Sequence, residues 1–231
     1  MRGTFLERPN RFVALVRLED GTQAAVHVAS SGRMNDLLVP GAPVIVQPST
    51  EGKPGRKTTG LLTMVEHNGF WVSVDTARPG KILRQAFTAR TLPEFAGYDQ
   101  VRPEYKHGQS RIDFLLTSDG LPPCLVEVKS VTAVVPDGDG TPVARFPDAP
   151  TDRGARHLRE LAAAVEQGYR TAVCFVIQRN DAAAFGPYDT IDPVFGQTLR
   201  AVARAGVEVH VWALDVKPER IALARRVPTR L

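Results

Sequence analysis

The sequence predicts an α+β chain, a small all-β barrel leading into an α/β unit built on a mixed sheet. Three observations carry this. Residues 1–75 contain short apolar runs split by Asp20–Gly21 and by Asn68–Gly69, which are strong hairpin signals. Residues 100–131 read as further hairpins. After residue 120, strand-like runs alternate with segments of helical periodicity, the order expected of a mixed sheet with helices packed on it.

In the first part, residues 11–18 and 23–29 form a hairpin, residues 43–48 a third strand, and residues 61–67 and 70–74 a fourth and fifth. Five short strands with such turns fit a barrel of the OB type, expected over residues 1–75. Arg11, Phe12, Arg33, Lys53, Arg56, Lys57 and Trp71 would give it a basic, aromatic face for nucleic acid. The alternative is that Phe12 and Trp71 are core and the basic residues a solvated loop. The two aromatics are expected in the core rather than on a binding face.

Residues 76–95 read as a helix, with Pro79 in its first turn, Ile82, Leu83, Ala86 and Phe87 as its apolar stripe, and Pro93 as its stop. This opens the second unit, residues 76–231. Residues 136–142, rich in Gly, Asp and Pro, read as a flexible excursion. A helix is expected over 155–167, a buried strand over 171–178, a helix from Pro193 to Gly206, a strand over 207–212 and an edge strand over 219–226.

Between these lie the residues that carry chemistry. Asp113 and Glu127 are symmetric about Gly120, so simple hairpin pairing sets them opposite each other, with β-carbons roughly 5 Å apart. Glu104 and Asp113 are symmetric about Gly108 and Gln109, where a leading glycine suits a type II′ turn. Lys129 shares the face of Glu127 because side chains alternate along a strand. The expectation is three carboxylates in a row across three strands, with a lysine beside them. Carboxylates so close repel, and a hard divalent cation such as Mg²⁺ relieves the repulsion. The plainer alternative is an exposed strand on which Glu127 and Lys129 form a surface ion pair.

Other groups stand near this cluster in sequence or phase. His157 borders its helix's apolar stripe and either faces the acids, helps bind phosphate, or is an ordinary satisfied histidine. Arg153 and Gly154 precede that helix and could present a phosphate-binding terminus, or Thr151 or Asp152 could simply cap it. Arg111 shares the face of Asp113 and would pair with it or contact a phosphate.

The 231 residues, 43% of them hydrophobic, allow one large or two small globular domains with a real core. A formal charge of +4 and a pI near 9.3 are compatible with nucleic acid without being diagnostic. No apolar run is long enough to span a bilayer, and residues 1–10 lack a signal-peptide core. Cys124 and Cys174 sit in apolar runs without metal spacing, as small buried hydrophobes in a reducing cytoplasm would.

Taken together, these segments resemble the sugar fermentation stimulation protein A family over essentially the whole chain. The resemblance rests on Arg-Phe-Val-Ala-Leu-Val at 11–16, Ser-Gly-Arg-Met at 31–34 followed by Pro-Gly-Ala-Pro-Val, Glu-Tyr-Lys-His-Gly at 104–108, Ser-Arg-Ile-Asp-Phe-Leu-Leu at 110–116, Val-Glu-Val-Lys-Ser-Val-Thr at 126–132, and the run 146–161. It implies an OB-type domain joined to a PD-(D/E)XK nuclease-like domain, in proteins described as DNA-binding and proposed as nucleases or as regulators of sugar-catabolic genes of the maltose type. By position it implies Asp113, Glu127 and Lys129 as the nuclease core and Glu104 as an auxiliary acid. Ser30 and Ser31 stand where relatives often carry Asn-Thr, and Asp75 where they often carry Asn.

The resulting expectation is a nuclease that uses Mg²⁺ or Mn²⁺. Asp113, Glu127, the Val128 carbonyl and Glu104 would serve the metal, and Lys129 a water or phosphate oxygen. Arg11, Arg33, Arg56, Lys57, Arg111, Arg153 and His157 would contact DNA, or RNA as an alternative. A non-catalytic DNA-binding regulator is the competing expectation.

Overall fold

The computed structural model describes residues 1–30, 32–49 and 58–231. The first six strands are β1 (Arg2–Asn10), β2 (Val13–Leu18), β3 (Gln23–His27), β4 (Pro43–Pro48), β5 (Gly60–His67) and β6 (Phe70–Ser73). They run in the order β3-β2-β1-β4-β5-β6, and a β3–β5 pairing at His27 and Leu61 closes the first five into a barrel. Its interior is apolar, filled by Phe5, Val16, Val26, Val44, Leu62 and Val72 among others.

The barrel is the expected OB type, but its five strands are not the five expected. β1 takes a place in it, whereas the short β6 leads out toward the second unit. β1 escapes a period-2 reading because its pairing with β2 shifts register between Phe5 and Glu7 and again before Asn10, so alternation breaks. Phe12 is not core; it is 50% exposed, with the Arg11 guanidinium 5.8 Å from its ring centre. Trp71 is half-buried, packed against the second unit's core.

Helix α1 (Arg78–Thr88) is shorter than the sequence suggested. It stops when Arg90 turns to φ 54, and Pro93 instead begins a short 3-10 helix, Pro93–Phe95. Next come β7 (Gln100–His107), β8 (Ser110–Thr117) and β9 (Cys124–Val131). Residues 136–142 are no loose excursion. They close a tight hairpin between β10 (Val134–Pro136) and β11 (Pro142–Phe146), where the Asp137 and Gly140 amides donate across the turn to Thr141 and Asp137 carbonyls, each at 2.8 Å.

Then follow α2 (Asp152–Glu166), β12 (Arg170–Ile177), β13 (Ala184–Pro187), α3 (Pro193–Arg204), β14 (Glu208–Lys217) and β15 (Arg220–Arg226). β13 went unforeseen because its four residues include Gly186 and Pro187, which read as loop. The central sheet runs β15-β14-β12-β9-β8-β7 and is mixed. β9, β12 and β14 are mutually parallel, and β7, β8 and β15 are antiparallel to their neighbours.

One face of this sheet packs on α2 and α3 through Leu125, Leu158, Leu161, Phe175 and Leu199. The other packs on α1 and on the barrel side chains Ile45, Met64 and Trp71. The two units are also joined by a buried polar chain. The Ser73 amide donates to the Gln178 carbonyl at 2.9 Å, Ser73 Oγ donates to Gln178 Oε1 at 2.7 Å, and Gln178 Nε2 donates to Ser130 Oγ on β9 at 2.8 Å. Among the described residues, no helix is long and apolar enough to cross a membrane.

Candidate active site

Strand register decides which acids meet. β7 and β8 pair Pro103 with Phe114, Tyr105 with Ile112 and His107 with Ser110 around the Gly108–Gln109 turn, where Gly108 takes φ 57. β8 and β9 pair Phe114 with Val126 and Leu116 with Cys124. Both registers are those read from the sequence, and continuing the second by one residue brings Asp113 to Glu127. There the ladder changes character. Asp113 Oδ2 accepts the Val128 backbone N–H at 2.7 Å, so a side chain replaces a strand carbonyl as acceptor.

Glu127 is buried at 4% exposure. Its Oε1 accepts Lys129 Nζ at 2.6 Å and also contacts His157 Nδ1 at 2.6 Å. Arg153 Nε donates to His157 Nε2 over a long 3.4 Å, which leaves the ring proton on Nδ1, directed at Glu127. Among the described residues, Glu127 Oε2 is buried and has no hydrogen-bond partner. A buried carboxylate oxygen without a donor is costly, and it marks where a cation could be held.

The two acids titrate apart. Asp113 is pushed up to about 6, first by burial and then by the charge of Glu127. Burial also pushes Glu127 upward, but the His157 hydrogen bond and the Lys129 ammonium outweigh it and hold the group below the usual carboxylate range.

Glu104 does not complete a row of three. Its backbone adopts φ 55, which interrupts the ladder opposite Asp113, and its exposed side chain pairs with Arg111 at 3.1 Å. Arg111 is thereby taken by Glu104 and does not pair with Asp113. Glu104 still borders the cleft of about 290 Å³ into which Asp113 opens. Among the described residues, no group of three or more His, Cys, Asp or Glu side chains is gathered as a metal centre would be. The oxygen donors at hand are therefore two carboxylates and the main chain of Val128.

The remaining expected residues are scattered. Arg153 lines a second cleft, of about 460 Å³, beside Lys129. The Gly154 amide donates to Thr151 Oγ1 at 3.0 Å, so the start of α2 is capped as an ordinary helix is. Arg33 is exposed at the edge of a separate cleft, and Arg11 lies on the barrel surface beside Phe12. Lys53, Arg56 and Lys57 lie outside the described residues. Sequence reading missed Lys81 and Arg84, which line the Asp113 cleft from α1. Their signal was the polar face of a helix whose first turn carries no acid.

The chain as a whole resembles known proteins. The model of the SfsA N-terminal OB domain matches residues 6–74, and that of the sugar fermentation stimulation protein RE domain matches residues 77–220. A sugar fermentation stimulation protein homolog of Symbiobacterium thermophilum is 64% identical over all of this chain and 95% of its own length. One from Moorella thermoacetica is 42% identical over all of this chain and 97% of its own length. The solved structure of Pyrococcus furiosus SfsA in complex with Ca²⁺ is 28% identical, superposes with a TM-score of 0.88, and covers 100% of this chain and 95% of that one. This chain belongs to the sugar fermentation stimulation protein family.

Proposed function

We propose that the protein is a divalent-metal-dependent nuclease, hydrolysing phosphodiester bonds of DNA or RNA with Mg²⁺ or Mn²⁺. One observation carries the reading. Glu127, whose charge acts on Asp113, keeps one oxygen buried and without a partner among the described residues, while Lys129 and His157 hold its other oxygen. Two acids this close are stable together when a cation or a proton lies between them. The donor set fits a hard cation, with Asp113, Glu127 and the Val128 carbonyl as ligands and Glu104 at the rim. The relative's Ca²⁺ complex supports a divalent ion. Bound there, such an ion supplies charge neutralisation at the phosphoryl oxygens and a more acidic water.

The chain's own groups supply the rest. Lys129 spends one of its three donors on Glu127 and keeps others for a water or phosphate oxygen. His157 fixes the carboxylate plane of Glu127. Lys81, Arg84 and Arg153 supply positive charge on the two clefts that flank Val128. The reading places this work in the cytoplasm, where Cys124 and Cys174 remain buried free thiols.

The test is purified protein with Mg²⁺ or Mn²⁺ on single- and double-stranded DNA and on RNA, beside Glu127→Ala. Cleavage by wild type alone, abolished by EDTA, is expected. Equal cleavage by Glu127→Ala would assign it to a contaminant. Metal-independent binding without cleavage, unchanged in Asp113→Ala, would favour the regulator.

A further inference from the structure

The larger cleft has a floor and two walls. Its floor is the end of β9 from Val128 to Val131 with Thr132 just beyond it, its first wall Ala29, Ser30 and Gly32 of the barrel, and its second wall the loop between β11 and α2. The walls touch. A methyl group added at Gly32 would lie 2.1 Å from Asp148 Oδ2, so Gly32 and the Asp148 side chain are already in contact.

Both walls are tied by hydrogen bonds at described residues. The Arg8 guanidinium donates to four main-chain carbonyls, those of Gly32 (2.8 Å), Arg33 (2.7 Å), Ser30 (2.9 Å) and Arg11 (2.6 Å). The second wall is tied down where the Thr151 amide donates to Asp192 Oδ2 at 2.8 Å. Ser73 and Gln178 fix the barrel to the floor.

From this geometry we infer that the cleft takes a single nucleic-acid strand and excludes a duplex. The inference rests on the nuclease reading of Glu127 and Lys129 and names its substrate class. A volume of about 460 Å³ is that of a small-molecule site. A duplex is a stiff cylinder carrying two backbones, and the contact of Gly32 with the Asp148 side chain narrows the cleft against it. A single strand can lie extended along β9.

The lining suits that occupant. Arg153 and Lys129 offer charge to a backbone, whereas Ser30, Ser130 and Thr132 offer hydroxyls to the Watson–Crick base edges that pairing in a duplex occupies. Asp148 repels phosphate, so the bases would face its wall and the backbone the Arg153 side.

The test is fluorescence anisotropy of the full chain in EDTA and low salt, so that binding is read without cleavage. The probes are a labelled single-stranded oligodeoxynucleotide, a blunt hairpin duplex of equal length, and that duplex with a single-stranded tail. The single strand and the tailed duplex should bind at least about tenfold tighter than the blunt one, since unstacked bases become available. Arg153→Glu should weaken binding of both. A blunt duplex that binds as well as the single strand would overturn the inference and leave the nuclease reading intact. No binding by any probe would overturn it as well. Strand preference without metal-dependent cleavage would sink the nuclease reading while upholding this one.

Discussion

His157 Nδ1 lies 2.6 Å from Glu127 Oε1, and both side chains are almost wholly buried, at 4% and 5% exposure. A helix and a strand 30 residues apart thus meet through one hydrogen bond to a charge. Removing the donor leaves a buried carboxylate short of a partner. His157→Ala should cost about 2–4 kcal/mol in urea unfolding, and His157→Gln should recover part of that. The acid limb should move too. Glu127 sits below its ordinary range, so its stabilisation is present above that range and is lost as pH falls through its folded value. Without His157 the loss should begin at a higher pH. An unchanged acid limb would show that the histidine does not hold Glu127 down.

Asp113 should behave in the opposite sense. Its folded value is raised to about 6 from 3.8. The folded state therefore binds the proton more tightly, and the group's contribution is fullest below pH 4 and lost as pH rises through 6. The neutral-pH destabilisation is at most about 3 kcal/mol. Asp113→Asn should melt higher than wild type at pH 8 and show no such gain at pH 4. Added Mg²⁺ or Mn²⁺ should raise the melting temperature of wild type and not of the variant, since a ligand stabilises only the state that binds it.

Glu127 and Lys129 should separate in a metal titration. Glu127→Gln removes charge a hard cation needs and should weaken Mn²⁺ binding and cleavage together. Lys129→Ala should leave Mn²⁺ affinity near normal, or raise it, while single-turnover cleavage falls by about 10²–10⁴-fold. Calorimetry beside the kinetics reads both. Cleavage retained in Lys129→Ala would reduce the pair to a structural ion pair.

Arg8 should govern the barrel wall. Arg8→Met keeps the stem but releases four carbonyls, at a cost of about 1–3 kcal/mol. Trypsin should then cut at Arg33 faster than in wild type. Identical digestion would show the loop is held by something else.

The hairpins that carry the acids were legible because register follows from turn position. Asp113 meets Glu127, and the β7–β8 pairing is centred on Gly108 and Gln109, for that reason alone. What lay beyond reach came from tertiary context. A non-glycine φ of 55 at Glu104 is not written in local propensity, and it is what hands that acid to Arg111. The bulges of β1 hid a barrel strand behind a broken alternation. The function of His157 depended on which way α2 faced, so its phase was readable and its partner was not. Phe12 looked apolar enough for a core and lies on the surface, where an apolar residue is unremarkable.

The Ser73–Gln178–Ser130 chain makes the barrel inseparable from the sheet it serves. A fragment starting at α1 would leave the Gln178 amide without its serine and bare the apolar surface that Ile45, Met64 and Trp71 cover. The join therefore behaves as an interior seam rather than a linker. Heating should melt the protein in one calorimetric transition, and grafting the barrel of a distant relative should fail unless the counterpart of Ser73 travels with it.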